Sequence, residues 1–264
     1  MQQPETLRDL LDLAAHPLWH GLTYEKTAKR NIEEFIGIVG NLPLADINTV
    51  TMDAWCADRE REVGPATINR KLTNIHSLLK FALDREWLVR LPKMPWKRES
   101  EGRIRWVTPD EEARMLHLLS SWGEHNAAAF LTVLIETGMR RGELLRLQPE
   151  DVDGQWARLW KTKTKFARSV PLTARAQEAL ADRLPWRLDA VKLRRVWDRL
   201  RREMQLVDDP DFVLHTLRHT AATRFLRKTK NIALVQRLLG HKKVTTTMRY
   251  AHIDDQDLLH AVVG

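Results

Sequence analysis

A single cysteine, Cys56, in a chain of 264 residues leaves no internal disulfide to form and no cysteine cluster to hold a metal. No run of about 18 uncharged apolar residues occurs, so nothing in the sequence reads as a membrane-spanning helix. The first residues, Met1-Gln2-Gln3-Pro4-Glu5, have neither the basic start nor the apolar stretch of a secretory leader. These absences point to a soluble protein of a reducing cytoplasm. Tyrosine is also scarce: Tyr24 and Tyr250 are the two in the chain, so chemistry that needs a phenol has two candidates.

What is present is an ordinary globular composition, 43% hydrophobic and 30% charged, in a chain long enough for two cores. The net charge of +8 is unevenly placed. Residues 1–100 hold 14 Lys/Arg against 14 Asp/Glu, whereas residues 101–264 hold 29 against 21. A basic surface concentrates polyanions and suits phosphate contacts. Many soluble proteins carry such an excess without touching nucleic acid, so charge raises the question and leaves it open.

The first hundred residues read as helical. Ile68, Leu72, Ile75, Leu79, Ala82 and Leu83 recur at helical spacing, with Asn69, Arg70, Lys71 and Asn74 on the polar side. Tyr24 to Ile38 is a second amphipathic stretch, carrying Ile32, Phe35 and Ile36, with Val39 just beyond, and Lys26, Lys29 and Arg30 near its start. Pro92, Pro95 and the charged run from Lys97 to Glu101 then mark a break. Thr108, with Pro109 next and Glu111 three residues on, has the pattern of a helix start. The expected division is a helical domain over 1–98, a linker over 99–104 and a second domain over 105–264. The second domain also reads as mainly helical, apart from alternation between Trp156 and Leu172, which predicts a small antiparallel sheet whose hairpin bears Lys161, Lys163 and Lys165.

Four segments concentrate the reactive groups: TGMRRGELLRL at 137–147, KTKTKFARSVPL at 161–172, HTLRH at 215–219, and LGHKKVTTTMRYAH from Leu239 to His252. Attack on a phosphodiester gathers negative charge on the non-bridging oxygens, which guanidinium groups can clamp bidentately. It also requires a nucleophile and an acid for the departing oxygen. Arg140 and Arg218 could clamp, Tyr250 could attack and Lys163 could supply the proton, with His215 and His241 as donors or proton carriers. The bland alternative is that the arginines and histidines are ordinary surface residues and that Tyr250 packs in a core.

Taken together, the four segments resemble the tyrosine recombinase (phage integrase) family. Its first box stands as Thr137-Gly138-Met139-Arg140 with Glu143 and Leu144, its lysine hairpin as Lys163 and Pro171, its H-x-L-R-H box as His215, Leu217, Arg218 and His219, and its last box as Leu239-Gly240-His241, Thr246-Thr247 and Tyr250. The motifs span about 115 residues, all in the second domain. The resemblance implies a helical, SAM-like core-site DNA-binding domain followed by a catalytic domain. It implies attack by Tyr250 to form a 3′-phosphotyrosyl bond, with Arg140, Arg218 and His241 stabilising the transition state. His215 would assist proton movement and Lys163 would protonate the leaving 5′ oxygen. Glu143 would orient an arginine, and His219 would support the catalytic groups from behind. Neither metal nor cofactor is implied. The partners implied are double-stranded attachment or core sites, further copies of the chain as a tetramer on DNA (monomer or weak oligomer when free), and accessory bending or excision factors.

Lys163 is chosen over Lys161 and Lys165 by its eight-residue spacing to Pro171 and by alignment with the family. His215 and His219, four apart, could share a helical face as metal ligands, but the glutamate of H-E-x-x-H is missing. In the first domain, Lys29, Arg30, Asn69, Arg70 and Lys71 are candidate DNA contacts. The sequence before residue 20 is too short to hold the arm-binding domain of many phage integrases. The chain therefore reads either as a short, Xer-like recombinase or as one from which that domain is missing. The apolar end after Tyr250 could pack on a neighbouring subunit or on its own. Two other functions remain: a type IB topoisomerase, which shares the chemistry, and a non-catalytic DNA-binding protein.

Overall fold

A computed structural model of the chain describes residues 3–99, 104–160 and 168–251. The chain divides into two compact units, Met1–Glu101 and Gly102–Gly264. Among its described residues the first unit has four α-helices, α1 (Leu7–Trp19), α2 (Glu25–Val39), α3 (Thr49–Arg59) and α4 (Pro65–Leu83). Their starts are encoded locally. Thr6 and Asp9 form a capping box at α1, Asn48 caps two backbone N–H groups of α3, and Pro65 opens α4 where its missing N–H costs nothing. Ile68, Leu72, Ile75, Leu79 and Ala82 of α4 are buried as their spacing predicts, together with Ile32, Phe35 and Ile36 of α2. Phe35 and Trp55 meet edge to face in the same core, ring centroids 6.1 Å apart. Cys56 is buried there as a small apolar side chain.

The second unit contains α5 (Pro109–Ser121), α6 (His125–Thr137), α7 (Arg141–Leu145), α8 (Ala174–Leu180), α9 (Ala190–Glu203), α10 (Leu214–Thr229), α11 (Ile232–Leu239) and the short α12 (Thr245–Met248). The helix start expected at Thr108 is present: its hydroxyl accepts from the Glu111 N–H at 3.2 Å while the Glu111 carboxylate accepts from the Thr108 N–H at 2.9 Å. The central element is α6. Ala127, Phe130, Leu131, Val133, Leu134 and Ile135 bury most of its circumference against α5, α8 and α10. Each of the large side chains contributes about 1.5–3 kcal/mol by leaving water. This anchors the C-terminal end of α6, where the first reactive box begins.

Strands β1 (Val152–Asp153), β2 (Trp156–Leu159) and β3 (Arg168–Pro171) form an antiparallel sheet in that order. Trp156 stands opposite Pro171 and Leu159 opposite Arg168. Ala157, Leu159 and Val170 point into the core, while Trp156 and Arg158 point out, the alternation that the sequence predicts. The architecture is therefore mainly α with one small antiparallel sheet. Lys161, Lys163 and Lys165 lie outside the described residues, as does the chain after Ala251. Among the described residues no helix is long and apolar enough to cross a membrane.

Candidate active site

The reactive boxes meet where α6, α10 and α11 end or begin. Gly138 terminates α6 in the left-handed region, φ +63°. A Cβ there would stand 3.0 Å from Leu239 and 3.2 Å from Ala221, so glycine lets the chain pass close to both. Arg140 follows as the residue that caps α7. Its backbone N–H and its guanidinium both donate to Glu143, each at 2.8 Å. Glu143 is buried, and burial alone would raise its pKa. Arg168 and Arg140 reverse that, and the carboxyl is held below its usual range. Arg140 is the more open of the pair and faces a groove of about 800 Å³ that His215, Arg218, Arg194 and Trp197 also line.

Arg218 lies on the inward face of α10, 2% exposed. It donates one N–H to the Gly138 carbonyl and another, at 2.6 Å, to the Leu239 carbonyl. Those carbonyls lie beside Arg140 and His241 in the chain, so a single guanidinium ties the first, third and fourth boxes together. Burial, with Arg140 and Arg168 close by, pulls its pKa down to about 9, which still leaves it charged at neutral pH. Glycine ends α11 as well: Gly240 has φ +63°, and the His241 N–H and carbonyl are bracketed by Gln236 at 3.1 and 3.0 Å. Nδ1 of His241 is 2.9 Å from the Thr247 hydroxyl, which leaves Nε2 as the nitrogen available to a ligand. Burial and then the nearby arginines push the His241 pKa down to about 4, so the ring is neutral.

Tyr250 is 1% exposed, packed between α10 and α11 against Ala222, Leu226, Val235 and Leu239. Its hydroxyl is 2.7 Å from Nδ1 of His219. Burial raises the Tyr250 pKa, and burial together with His215 and the adjacent arginines lowers that of His219 to about 3. The phenol is therefore protonated and the imidazole neutral, so the phenol donates and Nδ1 accepts. Thus the candidate nucleophile's hydroxyl is hydrogen-bonded to His219, which the sequence reading placed behind the catalytic groups. His215 stacks edge to face on it, ring centroids 4.8 Å apart, and desolvation followed by the charge of Arg218 keeps it below its ordinary pKa. Among the described residues no group of three His, Cys, Asp or Glu side chains is placed to hold a metal ion.

Sequence reasoning overlooked Arg168. Its guanidinium donates to Glu143 at 2.7 Å and to the Leu238 carbonyl. The available signal was parity: Arg168 lies two residues before Val170 in a strand whose Val170 faces inward, so an arginine there must find an anion. In the first unit, Lys29 pairs with Glu25 at 2.8 Å but is partly open, and Arg30 and Arg70 are exposed. Asn69 and Lys71 are otherwise committed. The Asn69 side chain holds both the N–H and the carbonyl of Lys97, at 2.9 and 2.8 Å, and Lys71, largely buried, sits on the Glu34 carboxylate. A polar residue flanking an apolar stripe can face solvent or a neighbouring segment, and periodicity does not distinguish the two.

The phage integrase family model matches residues 105–257, the stretch that carries all four boxes. The chain is similar to the integrase of Escherichia phage P2, 30% identical over 277 aligned positions, covering 99% of this chain and 79% of that protein. It is also similar to the tyrosine recombinase XerC of Neisseria meningitidis, 26% identical, with 86% and 84% of the two chains covered. Among solved structures, the Tn1549 transposon integrase in complex with a circular intermediate DNA superposes with a TM-score of 0.80 at 16% identity, over 97% of this chain and 100% of that one. A lambda integrase dimer bound to a core site gives 0.77 at 19% identity, over 93% and 77%. The match to the family covers more than half of the chain and includes Arg218 and the two residues whose carbonyls it holds, and the chain belongs to the phage integrase family, the tyrosine recombinases.

Proposed function

We propose that the chain is a site-specific recombinase that cuts and rejoins double-stranded DNA through a 3′-phosphotyrosyl bond on Tyr250. The observation that carries this reading is the hold of Arg218 on the carbonyls of Gly138 and Leu239, which gathers Arg140, Arg218 and His241 around one site. Two guanidiniums and a neutral imidazole suit a phosphorane, whose charge lies on its non-bridging oxygens. Tyr250 leaves its pocket between α10 and α11, and its oxygen bonds to the scissile phosphorus while the bond to the 5′ oxygen breaks. The phenol proton passes to a neutral imidazole, with His219 already in contact and His215 beside it. Lys163 protonates the departing 5′ oxygen. A 5′-hydroxyl of a partner strand then attacks the phosphotyrosine and releases Tyr250. The phosphoester link is conserved throughout, so the reaction consumes no ATP and requires no metal.

Two such exchanges, through a four-way junction, call for four copies of the chain on two DNA sites. A lambda integrase tetramer bound to a Holliday junction, similar in fold at a TM-score of 0.75, supports that arrangement. Similarity to the phage P2 integrase supports integration and excision of a phage or mobile element. Action in a bacterial cytoplasm, with accessory bending or excision factors, belongs to the same proposal. Relaxation of supercoils, as by a type IB topoisomerase, is the expected side reaction.

The test is a nicked suicide substrate built from the DNA flanking the gene, where an integrase of a mobile element has its attachment site. A covalent protein–DNA band is expected, and Tyr250→Phe should bind the same DNA without forming it. Lys163→Ala should cleave slowly and be rescued by a 5′-thio leaving group. Binding without any band would make the protein a non-catalytic DNA-binding module.

A further inference from the structure

Arg168 opens β3, yet its side chain turns away from solvent and is 13% exposed. It makes two contacts at once. One guanidinium nitrogen donates to Glu143 Oε2 at 2.7 Å, and the other donates to the Leu238 carbonyl. The first contact reaches Arg140, because the same carboxylate accepts from the Arg140 guanidinium and backbone N–H at 2.8 Å. The second reaches His241, because Leu238 lies in the last turn of α11, three residues before it.

The end of α11 is unusual in its caps. The last carbonyls of a helix have no partners within it, and they attract cations. Here two consecutive ones are each taken by an arginine, Leu238 by Arg168 and Leu239 by Arg218. The stem of Arg168 lies so close to Gly240 that a Cβ there would stand 2.7 Å from its Cδ. Arg218 is buried and belongs to the reacting groups. Arg168 does not line the groove, and its hydrogen bonds among the described residues go to Glu143 and the Leu238 carbonyl, so its contribution runs through Glu143 and α11.

We propose that Arg168 is a positioning residue: it ties the Glu143–Arg140 pair to the end of α11 and so fixes Arg140 and His241 relative to each other. The inference rests on the reading of those two side chains as phosphate ligands. Two effects follow. Without Arg168 the two groups lose their common anchor, and Glu143, buried on the second unit's inner side, loses one of its two cations. Burial then favours the protonated carboxyl, and a protonated Glu143 holds Arg140 less well.

Arg168→Met keeps the stem and removes the charge and the donors. In the free protein, the Glu143 carboxyl, followed by ¹³C NMR, should titrate at least about one pH unit higher in this variant. On the suicide substrate, cleavage should slow by ~100-fold, the scale of a small misplacement of reacting groups. The rate should also fall further as pH drops through the raised Glu143 titration of the variant, a limb that Arg168→Met with Glu143→Gln should lack. Arg168→Lys keeps the charge but has one donor group for two acceptors, so Glu143 should titrate near its native position while cleavage is only partly restored. It also serves if the methionine variant does not fold. Wild-type cleavage or an unmoved Glu143 titration in Arg168→Met would overturn the inference, and so would a rate loss that is equal at every pH and tracks lost thermal stability. The NMR arm needs no DNA, so failure of wild type to form an adduct would count against the recombinase reading while the tie itself is still measured.

Discussion

Gly240→Ala is the sharpest probe of how the site is held. Alanine at φ +63° pays for the left-handed region, about 1–2 kcal/mol. It also brings a methyl group to 2.7 Å from Cδ and 2.9 Å from Nε of Arg168. A free arginine would step aside at little cost, but this one is fastened at its guanidinium to Glu143 and the Leu238 carbonyl. Relieving the overlap therefore means giving up a contact or moving α11, which adds about 1–3 kcal/mol. Gly154→Ala is the control. Its φ is +53° with nothing within 4 Å of the added Cβ, so it carries only the backbone cost. Both glycines lie in the second unit, and the two variants can be compared within one unfolding transition. Urea denaturation should show a total loss of about 2–5 kcal/mol for Gly240→Ala against about 1–2 for Gly154→Ala. Equal losses would refute the view that Arg168 is a fixed strut.

Three further outcomes are expected. His219→Phe leaves the buried Tyr250 hydroxyl without its acceptor and should cost about 1–3 kcal/mol. Adding Tyr250→Phe should return part of that loss in a double-mutant cycle, and strict additivity would argue against the hydrogen bond. Glu112 is buried with Arg175 and Arg224 each at 2.6 Å, in a hollow that shares no residue with the groove lined by Arg140 and Arg218. Because both arginines reach the surface, Glu112→Gln should cost about 1–3 kcal/mol, less than a fully buried pair, with the cleavage rate of the folded enzyme unchanged. A changed rate would contradict that separation. Finally, His219 and His241 are held at about 3 and about 4, against about 6.5 in an unfolded chain. Between those values the unfolded chain binds protons that the native state refuses, so stability should fall as pH drops from about 6.5 toward 4. Urea midpoints across that range should show the slope, and His219→Asn should flatten it; an unchanged slope in the variant would count against a neutral His219.

Chemistry-bearing residues were legible in the sequence where their identity alone carries information. Arg140, Arg218, His241 and Tyr250 stand in boxes whose spacing survives any detail of packing, and the helix start at Thr108 is a local hydrogen-bond pattern that needs no partner from afar. The apolar stripes of α2 and α4 were equally readable, because burial of one face follows from a period of 3.6 residues. That Asn69 and Lys71 hold Lys97 and Glu34 was not legible, because those partners come from other segments of the first unit. Arg168 was missed for the same reason: its two acceptors lie 25 and 70 residues away along the chain.

The two tyrosines show the division most plainly. Scarcity and the last box single out Tyr250 as the phenol to consider, and that follows from sequence alone. Where its hydroxyl rests, donating to His219 in a pocket between α10 and α11, was decided by tertiary structure. A hydrogen bond between residues 31 apart depends on how two helices pack, and packing is set by the whole core rather than by any local run of residues.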